Sequence, residues 1–393
     1  MKNSEIMIVR DTKFFCYRGQ WFSPVVDYEN TFRHYLSVFN STTILGKLYV
    51  CDRPVGNIAS GPGVKIDGIM IRGGFKLLSL FVGALTRAFL FCFLDRKTKI
   101  ILRIPGVFPQ IVGLVLIMFR HAFAVEVVAD PADEYDTAAL GNHLPYAKLL
   151  KLFMVWSTKQ LTAHATATAY VTKNVLQRKY PPGKIDRSFG FTSTILRDEA
   201  FVKMPLSVKR FTTGKIRMVH VGSMQHRLKG QDIVIKALNI LIHRQIDASV
   251  EFIGDGNSRV CLENLAKELG LSNRCKFHGF ISSLAEIRRI LDKADIFVLP
   301  SRREGLPRAL LEAMARGLPA VATSIAGIPE LLESDWLIRR DCVSSLVEIL
   351  QHAAMSPKVL AIQSKKNLMK AREYQVENVY PQRLDFYNVI KNG

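Results

Sequence analysis

Apolar residues in this chain fall in short blocks, and between the blocks lie longer stretches in which apolar positions recur every three or four residues. The first pattern is that of strands buried on both faces and the second that of helices packed along one side. In the first half the blocks predict strands at IMIVR after Glu5, at Thr42 to Leu48, at Val64 to Met70, at Thr98 to Arg103, at Ala124 to Ala129 and at Thr168 to Thr172. An aromatic-rich segment from Phe14 to Phe22 and a helix around Asn30 to Phe39 separate the first two. Further helices are expected over Phe75 to Leu94, from the Ile104-Pro105-Gly106 turn to near Phe119, from Ala147 to near His164, and from Lys173 to Tyr180, where Pro181-Pro182-Gly183 ends the pattern. Strands alternating with helices describe an α/β fold with a parallel sheet covered on both faces.

Between Gly183 and Gly214 the periodicity fails and Ser, Thr, Pro, Lys and Arg dominate, which marks an interdomain linker. The alternation restarts with the strand IRMVHVGS after Lys215. It continues with a helix from Gln231 to His243, the strand SVEFIG, a helix through Leu269, the strand CKFHGF, a helix from Leu284 to Ala294 and the strand ADIFVLP ending at Pro300. Two domains are expected, residues 1–195 and 205–372, with a closing helix in 373–393 whose apolar and aromatic positions include Leu384, Tyr387, Val389 and Ile390.

The helix over Phe75 to Leu94 is the one stretch whose length suits a bilayer, but Lys76, Ser79, Gly83, Thr86 and Arg87 form a polar stripe along it. That favours an amphipathic helix on a sheet over a monotopic membrane contact, and either over a span. With Glu5 in the opening segment MKNSEIMIVR, no secretory leader is read there. The six cysteines form no CxxC pair, as expected of reduced thiols in a cytoplasmic protein. The 393 residues are 48% hydrophobic, enough for two cores, and carry a net charge of +20. So basic a chain suits phosphorylated small molecules or an anionic membrane surface, and peripheral contact with a membrane's inner face is expected. Nucleic acid suits it less, because Lys and Arg are scattered, with no basic arm and no aromatic-basic RNA-binding motif.

Candidate chemistry concentrates after Pro300. In SRREGLPRALLEAMARGLPAVAT, Glu304 occupies the turn before a helix and Glu312 lies inside it, with Pro307 suited to the first helical position and Gly317 to the end. A strand-to-helix turn offers free N–H groups and a positive dipole end to phosphate, while carboxylates accept from sugar hydroxyls. From spacing alone, two solvated carboxylates remain an equal reading. A second motif, HVGSMQHRLKG, runs from a strand into Gly222 and a loop bearing Arg227 and Lys229. Two cations on one loop stabilise a departing diphosphate; the plainer reading is two solvated charges. Ala326-Gly327-Ile328-Pro329 leads into PELLE as a second turn of the same design. Gly254-Asp255-Gly256 is half of a dinucleotide fingerprint with Arg259 where the third glycine belongs, and is read as a tight turn. Asp130, Asp133, Glu134 and Asp136 do not have tight metal-ligand spacing, and no metal site is expected. His121 and His143 are isolated, and no GxSxG turn or Cys–His pairing suggests a nucleophile.

EGLPRALLEAMARGLPAVAT resembles the glutamate-seven-residues-glutamate signature of the retaining glycosyltransferases of family four, the group 1 glycosyl transferases. That resemblance implies the GT-B fold, two Rossmann-like domains facing a central cleft, with an acceptor-binding N-terminal domain, a donor-binding C-terminal domain and a final helix crossing back. It implies that Glu304 contacts the donor sugar, Glu312 the nucleotide ribose, and Arg227 and Lys229 the diphosphate. Gly222, Gly305, Leu306 and Pro307 belong to the same donor site, and the loop after KFHGF implicates Phe280 and Ile281 beside the base. The substrate would be a UDP- or GDP-sugar, with no cofactor and no metal, and the acceptor a glycan or lipid-linked glycan of surface polysaccharide assembly. Two departures stand out. Tyr17-Arg18-Gly19-Gln20-Trp21 replaces the family's Gly-Gly loop and suits an acceptor surface, and Asp130 stands where many relatives carry an active-site histidine. A catalytic Asp130 is therefore a hypothesis, and a noncatalytic binding or partner subunit is the alternative to the enzyme.

Overall fold

The computed structural model describes residues 4–71, 82–90, 98–136, 146–192, 194 and 196–393. They form two compact units, Met1–Phe191 with Tyr380–Gly393, and Thr192–Val379.

In the first unit the strands are β1 (Glu5–Tyr17), β2 (Gln20–Ser23), β3 (Ser41–Val50), β4 (Asn57–Ile58), β5 (Val64–Met70), β6 (Lys99–Ile104), β7 (Ala124–Val127), β8 (Thr168–Tyr170) and β9 (Ser188–Gly190). Seven of them run parallel in the order β5-β3-β1-β6-β7-β8-β9. Val9, Leu45, Leu102, Val125 and Val127 of this sheet are buried with Phe108, Val112 and Leu116 of the helix Val107–Met118 and with Leu161. The continuous apolar blocks read from the sequence are these doubly covered strands.

Two segments depart from the sequence reading. The aromatic segment after Phe14 is not a loop: β1 runs for 13 residues and turns back into β2, pairing Phe15 with Phe22 and Cys16 with Trp21. Arg18 and Gly19, with φ of 48° and 80°, supply the two left-handed residues that a two-residue hairpin needs, so the 17–21 segment is a sheet edge. The helix expected around Asn30 to Phe39 is two short turns, Tyr28–Phe32 and Arg33–Ser37, which bury Phe32 against Phe14 and Tyr35 against Tyr387. Within the stretch Phe75 to Leu94, residues 82–90 are helical, Ala84 and Ala88 are buried, and Arg87 pairs with Asp67 at 2.8 Å. Lys76 and Ser79 lie outside the described residues. Among the described residues no helix is long and apolar enough to cross a membrane.

The second unit holds β10 (Lys215–Val221), β11 (Asp247–Ile253), β12 (Cys275–Phe277), β13 (Ile296–Leu299), β14 (Ala320–Thr323) and β15 (Leu337–Ile338), parallel throughout in the order β12-β11-β10-β13-β14-β15. The strand order therefore reverses between β10 and β13. In open α/β sheets ligands bind at the carboxyl ends of the two strands flanking such a reversal. The helix Val376–Asn392 ends the chain, and its buried Tyr387 lies against Tyr35 and His34, with ring centroids 5.1 and 5.9 Å away.

Candidate functional site

The reversal point is where the two strongest motifs meet. β10 ends in the fully buried His220 and in Val221, and the chain then loops through Gly222 to a single turn, Arg227–Lys229. Gly230 closes that loop at φ 74°, and a Cβ on it would lie 2.1 Å from the carbonyl oxygen of Pro300 at the end of β13. Only glycine permits both the left-handed turn and that approach. The contact brings Lys229 to the turn after β13, where its Nζ donates to Glu304 Oε1 at 2.7 Å. Ser301 Oγ donates to the same oxygen at 2.8 Å. Glu304 is buried, whereas Arg227 is exposed and makes no side-chain hydrogen bond or ion pair among the described residues.

A third cation, overlooked in the sequence, ties this loop down. Arg302 donates from Nη1 and Nη2 to the two oxygens of Asp232 at 2.9 and 2.8 Å, and from Nε to Asp341 at 2.6 Å. Its Nη1 also donates to the Arg227 carbonyl, and its backbone N–H to the Leu228 carbonyl at 2.8 Å. Burial pushes the Asp232 carboxyl up, but the Arg302 guanidinium outweighs that and holds it below its ordinary value. The signal available beforehand was Asp232 in the first turn of a helix beginning at Gln231, with no evident partner nearby.

The helix after the turn is Arg308–Ala315, with Pro307 as its extended N-cap instead of its first residue. Leu310, Leu311 and Met314 form its buried face, and half-buried Glu312 stands beside them. Burial raises the Glu312 carboxyl above its usual range, against the pull of Arg308 and Arg288. Leu306 and Pro307 are buried, and the Gly305 carbonyl accepts from Gly327 N at 2.9 Å. The turn beginning at Gly327 continues only as the short Ile328–Glu330, so PELLE is not a helix and offers no developed dipole.

The Gly254-Asp255-Gly256 turn has a packing reason. A Cβ on Gly254 would sit 2.1 Å from the Gly222 carbonyl oxygen, and one on Gly256 2.2 Å from Gln225 N. Those glycines let the turn after β11 lie against the cation loop. Next to it, Gly254 N donates to the Gly279 carbonyl at 2.9 Å, and Phe280 follows with 79% of its surface exposed beside half-buried Ile281. Lys229, Glu304 and Gly222 are thus assembled by direct contact, whereas Glu312, Phe280 and Ile281 share the unit but are not hydrogen-bonded to them among the described residues.

Asp130 belongs to the first unit. It follows β7, caps the short helix Pro131–Glu134 by accepting from Ala132 N at 2.9 Å, and takes a 2.6 Å bond from the Tyr180 hydroxyl. Its other oxygen pairs with Lys179. With 1% of its surface exposed, both of its oxygens are occupied. Asp133 and Glu134 lie within that helix, and among the described residues no group of three His, Cys, Asp or Glu is placed to hold a metal ion.

Known proteins add to this geometry. Residues 207–351 match the family "Glycosyl transferases group 1". Protein CapJ of Staphylococcus aureus is 26% identical over 293 residues, 74% of this chain and 71% of that protein. The amylovoran biosynthesis glycosyltransferase AmsK of Erwinia amylovora is 36% identical over 164 residues, but the match spans only 38% of this chain and 40% of AmsK. Among solved structures, HepE of Anabaena in complex with UDP superposes with a TM-score of 0.63 at 13% identity, over 98% of this chain and 99% of that one. Sucrose-phosphate synthase of Thermosynechococcus elongatus superposes with a TM-score of 0.67 at 15% identity, over 98% of each chain. At such identities the likeness is one of fold, and the fold is GT-B.

Proposed function

We propose that this chain, whose residues 207–351 match the group 1 glycosyl transferases, moves a sugar from a nucleotide diphosphate donor to an acceptor hydroxyl with retention of configuration. The observation that carries this reading is the contact of Lys229 with Glu304 where the strand order reverses, at the carboxyl ends of β10 and β13. Lys229 and the unpaired Arg227 take the diphosphate, whose charge grows as the bond to the sugar breaks, so they stabilise the transition state more than the ground state. Glu304 accepts from the donor sugar's hydroxyls, and Glu312 from the ribose. The departing diphosphate receives the acceptor's proton, so neither a general base nor a metal is invoked. The acceptor is a glycan or lipid-linked glycan of surface polysaccharide assembly at the cytoplasmic face of a membrane. The AmsK relative, named for amylovoran biosynthesis, and the net charge of +20 support that choice.

A noncatalytic donor-binding subunit is the second reading, favoured by Asp130, whose carboxylate is buried and fully engaged where the family resemblance leads to a histidine. Isothermal titration with UDP, GDP and their sugars tests the donor site: selective binding weakened by both Lys229→Ala and Glu304→Ala supports it, and no nucleotide binding overturns it. Release of UDP or GDP from the bound donor, with or without acceptor, then separates an enzyme from a binding subunit.

A further inference from the structure

The helix Ala147–His164 in the first unit buries Met154 and Leu161 but carries a second apolar face that the fold leaves outside. Its buried positions include Ser157, Thr158 and Thr162, while Leu149, Leu152 and Trp156 are 69%, 67% and 51% exposed. This orientation is held in place by polar anchors. Gln110, itself fully buried on the helix Val107–Met118, donates from Nε2 to the Met154 carbonyl at 2.9 Å and to Thr158 Oγ1 at 2.8 Å. On the same side Gly113 lies so close that a Cβ would meet Leu161 Cδ2 at 2.3 Å. Rotating the helix to bury Leu149 and Leu152 would strand the Gln110 amide without its partners, a cost that burial of polar groups imposes, and would draw Leu161 out of the core.

Leu149, Leu152, Phe153 and Trp156 recur at three- and four-residue spacing, so they form one outward stripe, with the Phe153 and Trp156 rings 6.2 Å apart. Lys148, Lys151 and Lys159 flank it, and the helix contains no Asp or Glu. Lys151 Nζ is 3.7 Å from Asp136; Lys148 and Lys159 are exposed. An apolar stripe with a tryptophan, on a helix whose own charged residues are all cations, has the chemistry of an interfacial helix: leucines enter the acyl boundary, the indole sits at headgroup depth and lysine stems reach back to phosphate. A second copy of this chain is a poor occupant, because it would bring the same lysines and a net charge of +20 against them.

We propose that the outer face of Ala147–His164 docks the protein on an anionic lipid bilayer. The proposal does not depend on the transferase reading, since the face shares no residue with the donor site, and it differs from the Phe75 to Leu94 stretch that the sequence singled out. Full-length protein is sedimented with vesicles of phosphatidylcholine alone and of phosphatidylcholine mixed with phosphatidylglycerol, alongside Leu149→Glu/Leu152→Glu and Trp156→Phe. Wild type is expected to bind the anionic vesicles, with a blue shift of tryptophan emission that Trp156→Phe lacks. The double glutamate variant is expected to bind at least about tenfold more weakly, with unchanged circular dichroism and donor titration. No binding by wild type, or equal binding by the double variant, overturns the proposal. So does a dimer in size-exclusion chromatography that the double variant disperses, which would assign the face to self-association.

Discussion

Lys229 and Glu304, 75 positions apart, share a 2.7 Å hydrogen bond in which Lys229 is 29% and Glu304 7% exposed at the side chain. The pair holds the ammonium in place before any donor arrives, and the two partners are expected to report different parts of that donor. Lys229→Ala should weaken UDP and UDP-sugar binding alike, by about ten- to a hundredfold, the worth of one charge-assisted contact. Glu304→Gln, which keeps the shape, should spare UDP and weaken the UDP-sugar. Titration of both ligands checks this, and equal losses for UDP in the two variants would remove the sugar role from Glu304.

Arg302 is expected to act as a positioning residue for the Arg227–Lys229 turn, through Asp232 and the Arg227 carbonyl. Arg302→Met leaves Asp232 without its bidentate partner and should lower stability by about 1–3 kcal/mol. Arg302→Lys cannot restore the fork and should recover only part of it. A double-mutant cycle with Asp232→Asn, read by denaturant unfolding, should show coupling above about 0.5 kcal/mol. Donor affinity should fall in step with that coupling if the clamp positions Lys229.

Two glycines allow a matched comparison. Gly214, at φ 68°, has nothing within 4 Å of a built Cβ, whereas at Gly230, with φ 74°, that Cβ meets the Pro300 carbonyl oxygen. Gly214→Ala should cost about 1–2 kcal/mol for the left-handed backbone alone. Gly230→Ala should cost more and also reduce nucleotide binding, because relieving the clash moves the loop away from Glu304. Thermal melts of the two variants check the order, and equal losses would show that the close approach is dispensable.

His220 is fully buried, with Nδ1 donating to the Val298 carbonyl at 2.8 Å. Burial, aided by Lys229, depresses its pKa from 6.5 to about 4 against that hydrogen bond. Above pH 6.5 the imidazole is neutral whether folded or unfolded and adds no pH dependence. As pH falls from 6.5 towards 4 the unfolded chain binds the proton first, so stability should drop by about 1.4 kcal/mol per pH unit. His220→Gln should flatten this part of the stability profile. A profile that keeps its slope in the variant would assign the effect to another group, half-buried His34 being the first candidate.

The site was legible to the extent that its residues sit in local patterns. Ser301 to Thr323 reads as turn, helix and strand because each transition has its own punctuation, and Arg227 and Lys229 stand out as two cations before a helix. Arg302 did not stand out. One arginine in a polar turn looks like any other until Asp232, Asp341 and the Arg227 carbonyl are brought around it. The same holds for Gly254 and Gly256, whose reason is the approach of Gly222 and Gln225 across the sheet edge.

By itself the sequence determined the alternation of buried strands and helices, hence two parallel α/β units, since side-chain periodicity is set by the backbone repeat of each element. Tertiary structure decided the rest. It made 17–21 a hairpin edge, reduced 30–39 to two short turns and PELLE to one, filled both oxygens of Asp130, and turned Leu149 and Leu152 of Ala147–His164 outward. For that helix and for Asp130 the decision lay with partners distant in the chain, Gln110 and Tyr180. The free energy of a hydrogen bond or a packed contact depends on where both groups lie in space, and periodicity along one segment carries no record of that.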